Sequence, residues 1–162
     1  MENLSTEHFL ARDFMEIALN EAKIAGNNND VPIGTIIVKD GKIIAKAHNE
    51  VVLTKNPLAH SEIIAINAAC RILDAKSLNN CDLYVTLEPC PMCAGSGILA
   101  RLDRVVYGAQ DPKGGSLASC LQLYDTFGFN HYPLYEGGVL ENECSKILSD
   151  YFRKKRKKTI KG

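Results

Sequence analysis

Apolar positions early in the chain recur at intervals of three and four residues: Leu10, Phe14, Ile17, Ala18, Ala22 and Ala25. That spacing follows the helical turn and predicts a helix over 8–25, stopped by Gly26 and the polar run 27–30. The pattern then tightens. Residues 33–38 and 43–47 are two apolar runs on either side of Asp40-Gly41. An Asp-Gly pair accepts the positive φ of a tight turn, so the runs read as a β-hairpin. The polar segment 49–57 reads as a loop, with Pro57 holding Asn56 extended. Ile63, Ile64, Ile66, Ala65, Ala68 and Ala69 make 60–73 a helix that is apolar on most sides, as suits one packed under a sheet.

Further on, 83–87 reads as a buried strand. Pro91 suits a first helical turn, so Cys90 is expected to cap a helix running to about residue 100. Residues 104–107 form the next strand, ended by Gly108, and Asp111-Pro112-Lys113-Gly114-Gly115 is loop chemistry. A weak helix over 117–126 and a short strand at 133–135 follow. Gly137-Gly138 breaks the chain before a C-terminal helix from 141 to about 157. The order α-β-β-α-β-α-β-α-β-α predicts a layered α/β domain, with helices on both faces of a mixed sheet. At 162 residues the chain suits one domain, 1–162, with a sizeable core.

Composition narrows the classes. With 46% hydrophobic and 23% charged residues, the chain resembles an ordinary globular domain. No stretch approaches the roughly 18 unbroken apolar residues of a membrane span. Residues 1–7 are polar and partly acidic, unlike a secretory signal, so the expected address is the cytoplasm, with no membrane partner. Six cysteines in such a chain point to metal binding or burial rather than disulfides. Only Cys90 and Cys93 have ligand spacing; Cys70, Cys81, Cys120 and Cys144 are expected to be small core residues. Net charge is zero but unevenly placed. Residues 146–162 hold eight basic side chains against one acid, Asp150, a surplus of +7 balanced by the rest of the chain. That basic helix and tail, about 141–162, could pair with phosphates, or be a solvated helix end whose charges suit the C-terminal dipole.

The chemistry lies in Leu87-Glu88-Pro89-Cys90-Pro91-Met92-Cys93 together with His60-Ser61-Glu62. Two cysteines with two residues between them can close on one soft metal ion, and His60 supplies a third ligand. Three protein ligands leave a zinc ion one position for water, the arrangement of a catalytic rather than a structural site. Two thiolates and a neutral imidazole leave zinc formally neutral and a weaker activator of water, so a base is needed; Glu62 can take the water's proton and redeliver it. His60 and Glu62 are two residues apart and would face away from each other on a regular helix. The pairing therefore requires His60 at or just before the first turn. The competing reading is a closed zinc knuckle, its fourth ligand His48, His131 or another cysteine. A redox role lacks the expected βαβ setting.

His60-Ser61-Glu62 with Pro89-Cys90-Pro91-Met92-Cys93 resembles the zinc-dependent cytidine/nucleoside deaminase superfamily, whose glutamate shuttles protons without binding the metal. The flanks Tyr84-Val85-Thr86-Leu87-Glu88 and Arg104-Val105-Val106-Tyr107-Gly108-Ala109-Gln110-Asp111-Pro112-Lys113 are similar to the bacterial tRNA-specific adenosine deaminases. So are Val31-Pro32-Ile33-Gly34, Asn49, Asn130-His131 and Leu148-Ser149-Asp150-Tyr151-Phe152-Arg153. The resemblance implies a three-layer α/β/α cytidine-deaminase-like fold with a central mixed five-stranded sheet. It also implies a homodimer, one zinc ion per subunit, and hydrolysis of the wobble adenosine of a tRNA anticodon loop to inosine. His60, Cys90 and Cys93 take the metal positions and Glu62 the catalytic one. Asn49, Asp111, Lys113, Phe152 and Arg153 match substrate-binding positions. Of Tyr151 and Phe152, at least one is expected to be buried. Ser61 stands where the family usually has alanine, and Asn56-Pro57-Leu58 departs from its usual Asp-Pro-Thr. The alternatives are a free-base deaminase acting on guanine or cytosine, and a non-enzymatic zinc-stabilised RNA-binding module.

Overall fold

The computed structural model describes residues 9–161. The polar segment 1–7 and the expected first helical residue, His8, lie outside the described residues. Helix α1 spans Ala11–Asn27, and the Asp13 carboxylate accepts the Leu10 N–H at its start (2.8 Å). Strands β1 (Gly34–Lys39) and β2 (Lys42–His48) form the expected hairpin. Asp40 and Gly41 have φ of 50° and 74°, the double positive φ of a primed turn. After a short helix α2 (Val51–Thr54) come α3 (Ser61–Leu73), β3 (Cys81–Leu87), α4 (Pro91–Leu99) and β4 (Arg104–Ala109). A 3-10 turn at Leu123–Asp125, strand β5 (Leu134–Glu136) and helix α5 (Glu141–Ile160) complete the chain.

The five strands make one mixed sheet in the order β2-β1-β3-β4-β5. β1 runs antiparallel to both β2 and β3, whereas β3, β4 and β5 are mutually parallel. Alternation along the strands divides the core in two. Ile36, Val38, Tyr84 and Val106 pack against Phe14, Met15 and Ala18 of α1 and Cys144 of α5. Ile37, Leu83, Val85, Val105 and Tyr107 pack against Ala65, Ile66 and Ala69 of α3 and Ala94 and Ile98 of α4. Central strands covered on both faces read as unbroken apolar runs, which is why 83–87 stood out in the sequence. Each fully buried Ile or Val here stabilises the fold by about 1.5–3 kcal/mol. The result is the expected three-layer α/β/α arrangement.

Three details differ from expectation. The 49–57 loop contains α2, whose first turn is met by the buried Asp30 carboxylate accepting the Val52 N–H (2.8 Å). β4 does not end at Gly108 but continues to Ala109. The glycine is there for close approach: a β-carbon would lie 2.9 Å from both the Cys144 Cβ and the Thr86 carbonyl oxygen. The helix expected over 117–126 is reduced to the 3-10 turn: the N–H groups of Cys120 and Leu121 both donate to the Gly115 carbonyl and that of Leu123 to the Ser116 carbonyl rather than to carbonyls four residues back, while Leu117, Ala118 and Ser119 are anchored to the Glu88 carboxylate. Tertiary hydrogen bonding overrides a weak local preference there.

Candidate metal and substrate site

Two helix starts build the ligand cluster. His60 is the N-cap of α3 with extended backbone (φ −73°, ψ 146°), and Cys90 is the N-cap of α4 (φ −71°, ψ 173°). Pro91 opens α4, where a missing N–H is harmless, and this sets Cys93 one turn on, beside Cys90. Because His60 is still extended, its ring and the Glu62 side chain can serve one site despite their i, i+2 spacing. The positive ends of α3 and α4 thus converge on the same point, which favours thiolates.

His60 Nδ1 lies 3.6 Å from the sulfurs of both Cys90 and Cys93, and the three ligand atoms all fall within 4.8 Å of one another. Ligands arranged tetrahedrally around zinc at its usual bond lengths stand roughly 3.5–3.8 Å apart, so the donor set and its spacing fit that ion. Among the described residues, no further His, Cys, Asp or Glu ligand atom joins the cluster. The two histidines considered as a fourth ligand are engaged elsewhere. His48 Nδ1 contacts Glu21 Oε2 (2.9 Å), and His131 Nε2 contacts the Leu102 carbonyl (2.6 Å). The geometry is therefore that of a three-ligand centre. A hydrogen bond from the Cys93 thiol holds the Cys90 thiol down to about 4, and the His60 ring favours its anion further. The same hydrogen bond, with burial, pushes the Cys93 thiol up. Paired with the Cys90 sulfur, His60 is raised above its ordinary value.

Glu62 is only 5% exposed. Burial pushes its carboxyl up, the direction that suits a proton acceptor working near neutrality. The Ser61 hydroxyl lies 3.3 Å from Glu62 Oε2 and 2.7 Å from the buried Thr35 hydroxyl, so this buried hydroxyl is accommodated by polar partners. Asn49 is close by. Its Oδ1 accepts the Ser61 N–H (2.8 Å), satisfying a helix-start donor that the His60 ring leaves unmet. Leu58 is exposed and its N–H is held by the Asn56 side chain (2.9 Å).

A cleft of about 700 Å³ opens at the C-terminal ends of β3 and β4, between Leu87, Gln110, Asp111 and Lys113 on one side and Leu148, Ser149, Phe152 and Arg156 of α5 on the other. Asp111, Lys113 and Phe152, expected from the sequence, thus line one cleft; Asn49, just after β2, is not among its lining residues, and its side chain is bonded to the start of α3. Arg153 does not line this cleft. Its guanidinium pairs with Asp150 (3.2 Å), and Arg156, one helical turn beyond Phe152, takes the cleft position. The i, i+4 spacing from Phe152 was the signal for Arg156. Neither Tyr151 nor Phe152 is fully buried: Tyr151 is half-buried and donates to the Asn29 carbonyl (3.1 Å), while Phe152 is exposed.

Glu88 was the other residue without a role in the sequence. It is buried at the end of β3, where a charge after an apolar run and before Pro89 was the available sign. Burial alone would raise its carboxyl; hydrogen bonds from the Ser119 side chain and from the backbone of Ala118, Ser119 and Asp111 outweigh this and hold it below the ordinary value. All six cysteines are free. Cys81 and Cys144 are buried and Cys70 is half-buried. Cys120 is exposed, contrary to expectation, because the loop around it is not the helix its pattern suggested.

A family model described as MafB19-like deaminase matches residues 10–156. A tRNA-specific adenosine deaminase of Bacillus subtilis (strain 168) is 46% identical over 145 residues, 90% of each chain. A solved structure from work on A-to-I editing by tRNA:A34 deaminases at the wobble position is 44% identical, with a TM-score of 0.81 over 83% of this chain and 98% of that one. A guanine deaminase of Bacillus subtilis is 31% identical, with a TM-score of 0.61 over 91% of this chain and 95% of that one. With the three-ligand cluster, the buried glutamate and the mixed sheet in place, the chain belongs to the MafB19-like deaminases and, within them, to the tRNA-specific adenosine deaminases.

Proposed function

We propose that this protein hydrolyses the wobble adenosine of a tRNA anticodon to inosine, with His60, Cys90 and Cys93 holding one zinc ion and Glu62 moving protons. The observation that carries the reading is the three-ligand cluster with a buried carboxylate beside it and no fourth protein ligand among the described residues. When bound, zinc would supply Lewis acidity that brings the pKa of a water towards neutrality. Glu62 accepts a proton from the attacking water and delivers it to ring N1 as oxygen bonds to C6. It then passes the second proton to the departing amino group. The C6–N bond breaks, ammonia leaves, and the carbon keeps oxygen as the C6 carbonyl of inosine. The Asn49 side chain, its oxygen engaged by Ser61, has its amide nitrogen available to the base.

The target adenine must leave its stack to reach such a centre, and a single-stranded loop is the substrate in which that is easiest. The cleft at the C-terminal ends of β3 and β4, flanked by the cations Lys113 and Arg156 and the exposed Phe152 ring, suits the phosphates and bases next to the target. The fully exposed basic end of α5 extends the same charge. Large apolar side chains at Leu99, Phe127 and Leu134 are left uncovered, a surface consistent with a homodimer. No helix among the described residues is long and apolar enough to cross a membrane; together with the tRNA substrate this favours a cytoplasmic address.

The test is to incubate the zinc-loaded protein with an anticodon stem-loop containing a wobble adenosine and, separately, with guanine and cytosine. Inosine from the stem-loop alone is expected, lost in Glu62→Ala. Ammonia release from a free base without inosine in RNA would replace this reading with a free-base deaminase.

A further inference from the structure

The chain buries a carboxylate that the reaction above leaves unused. Glu88, 2% exposed, lies between the end of β3 and the turn carrying Cys90. Its oxygens receive hydrogen bonds from the N–H groups of Asp111 (3.2 Å), Leu117 (3.1 Å), Ala118 (2.9 Å) and Ser119 (3.0 Å), and from the Ser119 hydroxyl (2.5 Å). Every donor comes from one loop, 111–119. The neighbouring Pro89 carbonyl accepts the Ser116 N–H (2.9 Å), a further tie between the same two segments. Within the loop, Asp111 Oδ1 accepts the N–H groups of Lys113 (3.1 Å) and Gly114 (3.2 Å), closing the turn that presents both side chains to the cleft. Glu88 grips that turn from both ends. A β-carbon on Gly115 would have no room, because the Glu88 carboxylate occupies its place.

We infer that Glu88 is a positioning residue for substrate binding: it fixes the 111–119 loop so that Asp111 and Lys113 face α5 before the RNA arrives. The inference rests on the proposed function. Only a carboxylate suits this position, since it accepts on every lone pair; a carboxamide must turn its own N–H groups towards some of the converging donors. A loop already ordered loses less freedom when it closes on a nucleic acid, so the effect belongs to binding more than to chemistry.

Three variants test this. Glu88→Gln changes the acceptor; Gly115→Ala and Ser119→Ala disturb the grip while leaving the carboxylate in place, so the question stays open to measurement if Glu88→Gln does not fold. Steady-state inosine formation in the anticodon stem-loop, zinc content, and amide hydrogen exchange at 117–119 are measured for each. KM is expected to rise about tenfold for Glu88→Gln and Gly115→Ala, and less for Ser119→Ala. kcat should hold, zinc should remain, and the loop amides should exchange faster. An unchanged KM in a folded variant with faster exchange overturns the inference, as does a fall in kcat that tracks lost zinc. If the wild-type protein forms no inosine, the proposed function fails instead. Fluorescence anisotropy with the same stem-loop then decides the positioning role: faster loop exchange without weaker binding rejects it.

Discussion

The ligand cluster and the cleft along α5 are built in opposite ways. The cluster sits on the first turns of two helices pressed against the sheet, and its groups are held by neighbours they cannot leave. Glu62 and Cys93 are buried, and the start of α3 is secured by Asn49. The cleft has one wall of loop and one of helix, with exposed Lys113 and Phe152, and nearly every residue from 152 onwards on α5 is open to solvent. Rigid burial suits proton transfer, where small displacements of the acceptor matter greatly. An open, charged wall suits a polyanion that is bound through several individually weak contacts. Substitutions in the two regions should therefore differ in kind as well as in size.

The largest effect is expected at the cluster. Cys93→Ala, or removal of zinc by a chelator, should bring inosine formation below detection and reduce the metal content from one ion per chain; retained activity with no metal would break the division between the regions. Glu62→Gln should keep the metal, by elemental analysis, yet lower kcat by about 10²–10⁴-fold, the range for losing a general acid–base. Gly108→Ala tests the join between the halves, because its methyl group would press on Cys144 of α5. Thermal unfolding should show about 1–3 kcal/mol of lost stability, the usual penalty for overpacking. In the cleft, Arg156→Ala should weaken stem-loop binding roughly fivefold, about 1 kcal/mol, and flatten the slope of log affinity against log salt by about 1. The smallest change is expected for Arg153→Ala, whose guanidinium is already engaged by Asp150. If Arg153→Ala reduced the salt slope more than Arg156→Ala, the assignment of the cleft wall would be reversed.

Much of this was legible in the chain. The helix periods, the Asp-Gly turn and the apolar strands gave nearly every element, because each rests on contacts repeated along a short segment. Local chemistry likewise marked the site: Pro91 announces a helix start, and a cysteine on either side of the next turn announces a metal. The departures fall where segments distant in the chain meet. Residues 117–126 have a weak helical pattern, but Leu117, Ala118 and Ser119 are anchored to Glu88, about thirty residues away in sequence, and the N–H groups of Cys120, Leu121 and Leu123 turn back to Gly115 and Ser116 instead of continuing a helix. Gly108 looked like a strand end because the helix packed over it, α5, begins more than thirty residues later.

By itself, the sequence determined the α/β class and singled out His60, Cys90 and Cys93 as candidate ligands with Glu62 as the candidate base, since those readings depend on residue type and on short-range spacing within two motifs. The tertiary structure decided which groups are spoken for. It gave His48 and His131 other partners, so three candidate ligands rather than four converge among the described residues. It turned Arg156 and not Arg153 into the cleft, through the phase of α5 against the sheet. It also placed Glu88 beneath a distant loop. Such outcomes depend on the convergence of segments far apart in the chain, where a donor or acceptor chooses among partners that no local pattern can rank.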